Sequence, residues 1–136
     1  MSRHTMKTLG RPWAYGCSPF AAPSPERMAQ HVRWAQALSR QIWADGFWPI
    51  LPHLYTPQFL DDTDPADRAV GLRWGLDLLE RCVLMYVCDV PPSTGMQGEL
   101  ARAQAFDLPM QLWVPDDVMD DAQLVHEWEV LMSNER

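Results

Sequence analysis

The sequence predicts an α/β protein: a Rossmann/flavodoxin-like three-layer sandwich with a parallel sheet of about four to five strands and helices on both faces. Three observations carry that expectation. Short, largely apolar runs such as "FWPILP" (47–52) and "CVLMYVCDV" (82–90) read as strands buried on both faces. Between the runs lie stretches of roughly ten or more residues with apolar positions at helical spacing. Strands that alternate with such helices close through crossovers into a parallel sheet.

The elements follow in order. An irregular leader (1–11) precedes "WAYGC" (Trp13 to Cys17), the first strand, which runs into the loop "SPFAAPSP". Ser24 is a good N-cap and Pro25 suits the first helical position. Met28, Val32, Ala35, Leu38 and Ile42 then mark a helix face, and Gly46 supplies the stop. "FWPILP" is the second strand. The following segment, "HLYTPQFLDDTDPAD" (53–67), shows no periodicity, and connections of that length in a compact domain usually serve a ligand. A helix over 66–81 carries Val70, Leu72, Leu76 and Leu79 on its apolar side and leads into the third strand, "CVLMYVCDV". Another helix runs from Thr94 to near Asp107, and "PMQLWV" (109–114) is the fourth strand. Within the C-terminal stretch 117–136, Leu124, Trp128 and Leu131 mark a last amphipathic helix over 120–132. The whole chain, 1–136, reads as one domain, with neither internal repeat nor linker.

Composition narrows the class of function. The 136 residues are 47% hydrophobic and 21% charged, with seven tryptophans, which describes a globular chain with a real core. The tryptophans, Trp34, Trp43, Trp48, Trp74 and Trp128 among them, suit core or subunit contacts. The net charge of −7, concentrated in "DDTDPAD" (61–67) and "DDVMDD" (116–121), argues against a grip on a nucleic acid polymer, which needs a basic stripe. No apolar run approaches the ~20 residues of a membrane span, and the N-terminus lacks the apolar core of a signal peptide. The three cysteines form no CxxC pair and fit free thiols. A cytoplasmic protein without membrane attachment is the expectation.

In parallel sheets of this kind ligands bind outside the carboxyl ends of the strands. Those ends carry Ser18 to Phe20, His53 to Tyr55, and Asp89 to Gly95, so three loops should converge on one edge. The third of them, "PPSTGMQGELARAQ" (91–104), has two readings. Thr94 and Gln97 match a capping box, and on that account Glu99 is a solvated helix residue. Gly95 and Gly98 fit less easily, because each costs roughly 1 kcal/mol inside a helix. They suggest close approach by a ligand, with Ser93, Thr94 and the amides near Gly95 forming an anion cradle. Elsewhere, "GCSPF" (16–20) lacks the second glycine of a nucleophile elbow, so a ligand near Ser18 suits it better than hydrolase chemistry. Neither GxGxxG after a strand nor GxxxxGK[ST] occurs, and the four histidines show no metal-ligand spacing. His53 differs from the others in following a strand at the ligand edge.

With these segments placed, the chain from about Arg11 to Trp113 resembles the nucleoside 2-deoxyribosyltransferase-like superfamily. Pro92, Ser93, Gly95, Glu99, Leu100, Arg102 and Ala103 match the P-S-x-G-x-x-x-E-L-x-R-A pattern of its 2′-deoxynucleoside 5′-monophosphate N-hydrolases. "PHL…PQFLDD" (52–62) is similar to a stretch of small uncharacterised bacterial and phage proteins. The resemblance implies cleavage or transfer of an N-glycosidic bond with Glu99 as nucleophile, since a carboxylate can form and release a glycosyl-enzyme. It implies that Tyr15 positions Glu99, that Ser93 helps hold a 5′-phosphate, and that the His53 loop lies beside the base or sugar. Ser18, Phe20, Asp89, Thr94 and Gly95 complete the expected substrate-binding set. It implies no metal or organic cofactor, a small nucleoside or nucleotide as partner, and a homodimer or larger assembly. The family's aspartate that assists the leaving base aligns with Gly75, and its first-loop phosphate contacts align with Pro19 and Ala21. Three alternatives stand for the acid: Asp77 re-aimed from the same helix, an acid from the 61–67 loop, or none. In the last case the chain would be a catalytically weak nucleotide-binding or interaction protein on the same fold.

Overall fold

The structure is a computed structural model and describes residues 10–117. The expected helix over 120–132 and most of the leader lie outside the described residues. The elements are β1 (Trp13–Cys17), α1 (Pro25–Ala44), β2 (Trp48–Ile50), two short 3-10 turns (Pro52–Leu54 and Thr56–Gln58), α2 (Pro65–Leu79), β3 (Leu84–Cys88), α3 (Thr94–Ala105) and β4 (Met110–Trp113). They form a 4-stranded, fully parallel sheet in the order β2-β1-β3-β4.

Capping residues set the helix ends. Ser24 Oγ accepts from Arg27 N at 3.2 Å at the head of α1, with Pro25 in the first turn. At its foot Gly46 takes φ +102°, so that Gly46 N reaches Trp43 O and Phe47 N reaches Ile42 O, the paired bonds of a Schellman turn. Asp64 caps α2 through Ala66 N at 3.0 Å. At α3 the expected Thr94/Gln97 box does not form. The N-cap is one residue earlier: Ser93 has the extended backbone a cap needs, and its Oγ accepts from Met96 N at 3.2 Å. That leaves Gln97 one position too late, and its side chain bonds Pro92 O instead.

Period-2 alternation divides the core into two layers. Ala14 and Tyr86 face α1 and pack with Ala35, Leu38, Ile42 and Leu51. Tyr15, Cys17, Met85 and Val87 face the other way and pack with Leu79 of α2 and Met96 and Ala103 of α3. Helices therefore cover both faces, as expected. The second strand departs from expectation. Its apolar sequence predicts burial on both sides, yet β2 is an edge strand of three residues with Trp48 43% exposed. The Arg11 guanidinium stacks over the Trp43 and Trp48 rings, so these aromatics serve an outer cation–π contact and not the core.

Candidate active site

The carboxyl ends of β1, β2 and β3 and the amino end of α3 enclose a cavity of about 320 Å³. Of the residues expected there, Tyr15, Ser18, Phe20 and His53 line it from the first two strand ends. Ser93, Thr94, Gly95 and Glu99 line it from the head of α3. The aperiodic segment after β2 contributes through its 3-10 turns, which place His53 and Thr56 on the wall.

Glu99 sits at the centre of the electrostatics. Tyr15 projects from β1, is 2% exposed, and hydrogen-bonds the Glu99 carboxylate. Glu99 Oε2 is buried with no hydrogen-bond partner among the described residues. Burial pushes the Glu99 carboxyl up to about 7, against the opposing effect of the Tyr15 hydroxyl, which favours the ionised form. The Tyr15 hydroxyl is itself raised well above its ordinary value, first by burial and then by the charge and hydrogen bond of Glu99. The phenol therefore stays protonated and acts as a fixed donor. The half-buried carboxyl group it holds keeps one buried oxygen unengaged, on a residue that lines the cavity.

A second pair lies across the cavity. Ser18 Oγ and His53 Nε2 share a hydrogen bond of 2.8 Å, and the Phe20 ring meets the His53 ring edge-on at 6.4 Å. Burial, then the nearby His31, lowers His53 to about 4, so the imidazole is neutral at physiological pH. A neutral imidazole paired with a hydroxyl presents donors and acceptors suited to an uncharged heterocycle or sugar hydroxyls. His31 is fixed behind it, with Nδ1 donating to Phe20 O at 3.1 Å.

Two expected site residues are not brought to the cavity. Asp77 lies on the outer side of α2, half exposed, and pairs with Arg73 at 3.1 Å. It is two positions past Gly75, and at 100° per residue that offset turns it away from the cavity. Asp89 follows β3 but is exposed, and its amide continues the ladder to Trp113 O at 2.8 Å, which aims the side chain outward. Neither lines the cavity wall.

Conversely, Arg68 and Gly71 line the cavity without having been singled out, and with them stand Asp62, from the loop kept open as a source of the acid, and Gly75, the position aligned with the family's aspartate. Gly71 and Gly75 are an i, i+4 pair, and that spacing on one helix face was the available signal. A Cβ at Gly75 would lie 3.3 Å from Tyr15 Oη, so the glycine leaves the Tyr15–Glu99 pair undisturbed. A Cβ at Gly98 would meet nothing within 4 Å, in keeping with a helix surface open to the cavity. Among the described residues no group of His, Cys, Asp and Glu is placed to hold a metal ion, and no helix is long and apolar enough to cross a membrane.

No curated protein matches the chain in sequence. Among solved structures it is similar to the 2-deoxyribosyltransferase of the psychrotolerant bacterium Bacillus psychrosaccharolyticus. The TM-score is 0.56 and the identity 17%, over 84% of this chain and 80% of that one. At that identity the likeness establishes the Rossmann-like α/β fold shared with a nucleoside-processing transferase. The sequence family is shown directly: residues 12–113, from the edge of β1 to the last residue of β4, match the domain of unknown function DUF7768, and the chain belongs to that family.

Proposed function

We propose that the chain cleaves or transfers the N-glycosidic bond of a nucleoside or nucleoside 5′-monophosphate through a glycosyl-enzyme on Glu99. The observation that carries this reading is the Glu99 carboxylate itself. It is half-buried, held by the Tyr15 hydroxyl, and has one buried oxygen without a partner in a cavity at the carboxyl edge of a parallel sheet. A structural glutamate at a helix start would be solvated or paired. In the proposed reaction a Glu99 oxygen attacks the anomeric carbon, and the bond to the base nitrogen breaks with its electron pair leaving on the base. Water, or an acceptor base in a transfer, then takes the sugar from the glutamyl ester. Ser93, Thr94 and the amides near Gly95 hold a phosphate or sugar hydroxyl. The neutral Ser18–His53 pair and Phe20 lie against the base. A fold shared with a 2-deoxyribosyltransferase supports the same class of substrate. A cytoplasmic homodimer or larger assembly belongs to this reading through the resemblance.

One observation favours a second reading, a nucleotide-binding protein without turnover. Helix α2 presents Gly75 to the cavity, at the position where the resemblance implies an acid, and Asp77 pairs with Arg73 away from the cavity wall. A single experiment separates the two. The protein is incubated with the common nucleosides and their 5′-monophosphates, free base is followed by chromatography, and the panel is repeated with Glu99→Gln. Base release abolished by the substitution is the expected result. A ligand-induced rise in Tm without base release would establish the binding protein instead.

A further inference from the structure

The 61–67 loop carries four aspartates, and the structure gives three of them a local task. Asp61 Oδ1 accepts from Thr63 N at 2.9 Å and from Thr63 Oγ1 at 2.6 Å, closing an Asx turn. Asp64 caps α2 through Ala66 N. Asp67 Oδ2 accepts from Asp61 N at 2.8 Å and ties the loop to the first turn of α2. Asp62 has none of these roles. It lines the cavity, and with Glu99 it makes up the pair of carboxylates found on the cavity wall among the described residues. The three engaged neighbours fix the turn, and Asp62 stands solvent-exposed at the cavity wall.

Glycosidic cleavage by a carboxylate nucleophile needs a second carboxyl that protonates the leaving group and later takes a proton from the attacking water. We propose that Asp62 is that acid/base group, supplied by the loop ahead of α2 in place of an acid on α2 itself. The inference rests on the Glu99 reading. In the first half-reaction Glu99 bonds the anomeric carbon, the carbon–nitrogen bond breaks toward the base, and the Asp62 carboxyl proton passes to the base. In the second, water bonds the anomeric carbon, its proton passes to the Asp62 carboxylate, and the ester electrons return to Glu99. The sum is nucleoside plus water giving base plus free sugar, and both carboxyls end as they began. The other titratable and charged groups on the wall are poorly suited to the task. Tyr15 is held by Glu99 and His53 is neutral.

The test is the leaving group. 7-Methyl-2′-deoxyguanosine carries a cationic base and 4-nitrophenyl 2-deoxyriboside a good anionic leaving group, so neither needs a proton to depart. Wild type, Asp62→Asn, Asp61→Asn and Glu99→Gln are compared on these two and on the unmodified nucleoside panel. Asp62→Asn is expected to lose roughly 100-fold or more on unmodified substrates while staying within about threefold of wild type on the activated pair. Asp61→Asn, which perturbs the loop and leaves Asp62 in place, should lose equally on both sets. Equal losses on both sets for Asp62→Asn would make it a binding residue only and overturn the proposal, as would no loss at all. In either of those outcomes, a Glu99→Gln variant inactive on every substrate leaves the nucleophile reading standing. A wild type silent on the whole panel would remove both.

Discussion

The Glu99 carboxyl combines two effects of opposite sign in one side chain. Burial raises it to about 7 from an ordinary value of 4.5, so the folded state holds a proton that the unfolded state has released between those limits. Its contribution to stability is complete below the unfolded value and is lost as pH rises through about 7. The expected size is on the order of 2–3 kcal/mol, and Glu99→Gln should remove most of it. Urea unfolding at pH 5 and pH 7.5 measures the difference for both proteins. Activity should run the other way, because only the ionised carboxylate attacks carbon. Base release should therefore rise with pH through about 7, over the window in which the unliganded protein loses stability. A stabilised variant and an inactive variant should be the same variant, as expected where function requires an uncomfortable charge.

At the scale of elements, the least forgiving contact joins the end of β1 to the residue after β2. Gly16 lies on the α1 side of the sheet, and a Cβ there would be 2.5 Å from Leu51 Cγ. Leu51 is itself 7% exposed and immediately precedes the turn that carries His53, so the side chain cannot move aside without shifting that wall of the cavity. Gly16→Ala should cost about 1–3 kcal/mol by overpacking. Leu51→Ala should recover part of that loss in the double variant, and chemical denaturation of the four proteins reads the coupling. This contact also marks where sequence reading ends. The first helix was legible from its caps and spacing, because Ser24 and Gly46 act on their own neighbours, and the second from the spacing of its apolar residues. Strand ends named the loops that meet, and eight expected residues do line the cavity. What could not be read was direction. An apolar run looks the same at a sheet edge as at its centre, which is why β2 was expected to be buried. Asp77 and Asp62 are likewise both acids near the site, and only helix phase and the hydrogen bonds of Thr63 and Ala66 separate them.

For the molecule as a whole, closure depends on what happens after β4, the far edge strand, where Leu112 remains 66% exposed. Beyond the strand the chain turns back onto α1 and is fastened at Asp117. The Trp34 indole donates to Asp117 Oδ1, Gln30 Nε2 donates to Asp117 O at 2.8 Å, and Arg33 lies 3.7 Å from Oδ2. The fastening joins residues more than 80 apart in sequence and ties the last strand to the first helix across one face of the sheet. Burial alone would raise the Asp117 carboxyl, but the donors from Trp34 and Gln30 and the Arg33 charge bring it below its ordinary value. Its contribution is therefore present above the unfolded value and lost as pH falls through the lower folded one. The ion pair with Arg33 is open to solvent and adds little. The indole is the costly partner: Trp34 is 2% exposed, and without Asp117 its N–H would be buried with its acceptor removed. Asp117→Ala should therefore cost about 1–3 kcal/mol, a Tm lower by roughly 5–10 °C. Asp117→Asn keeps an acceptor and should lose less than half as much. Because Asp117 lies on the α1 face and not on the cavity wall, both variants should bind or turn over ligand as wild type does below their unfolding temperatures. A loss of ligand binding at 20 °C with Tm unchanged would show instead that the turn after β4 reaches the site. The measurement is thermal unfolding at pH 7 and at successively lower pH. The gap between wild type and Asp117→Ala should narrow as the pH falls through the lowered folded value of the carboxyl.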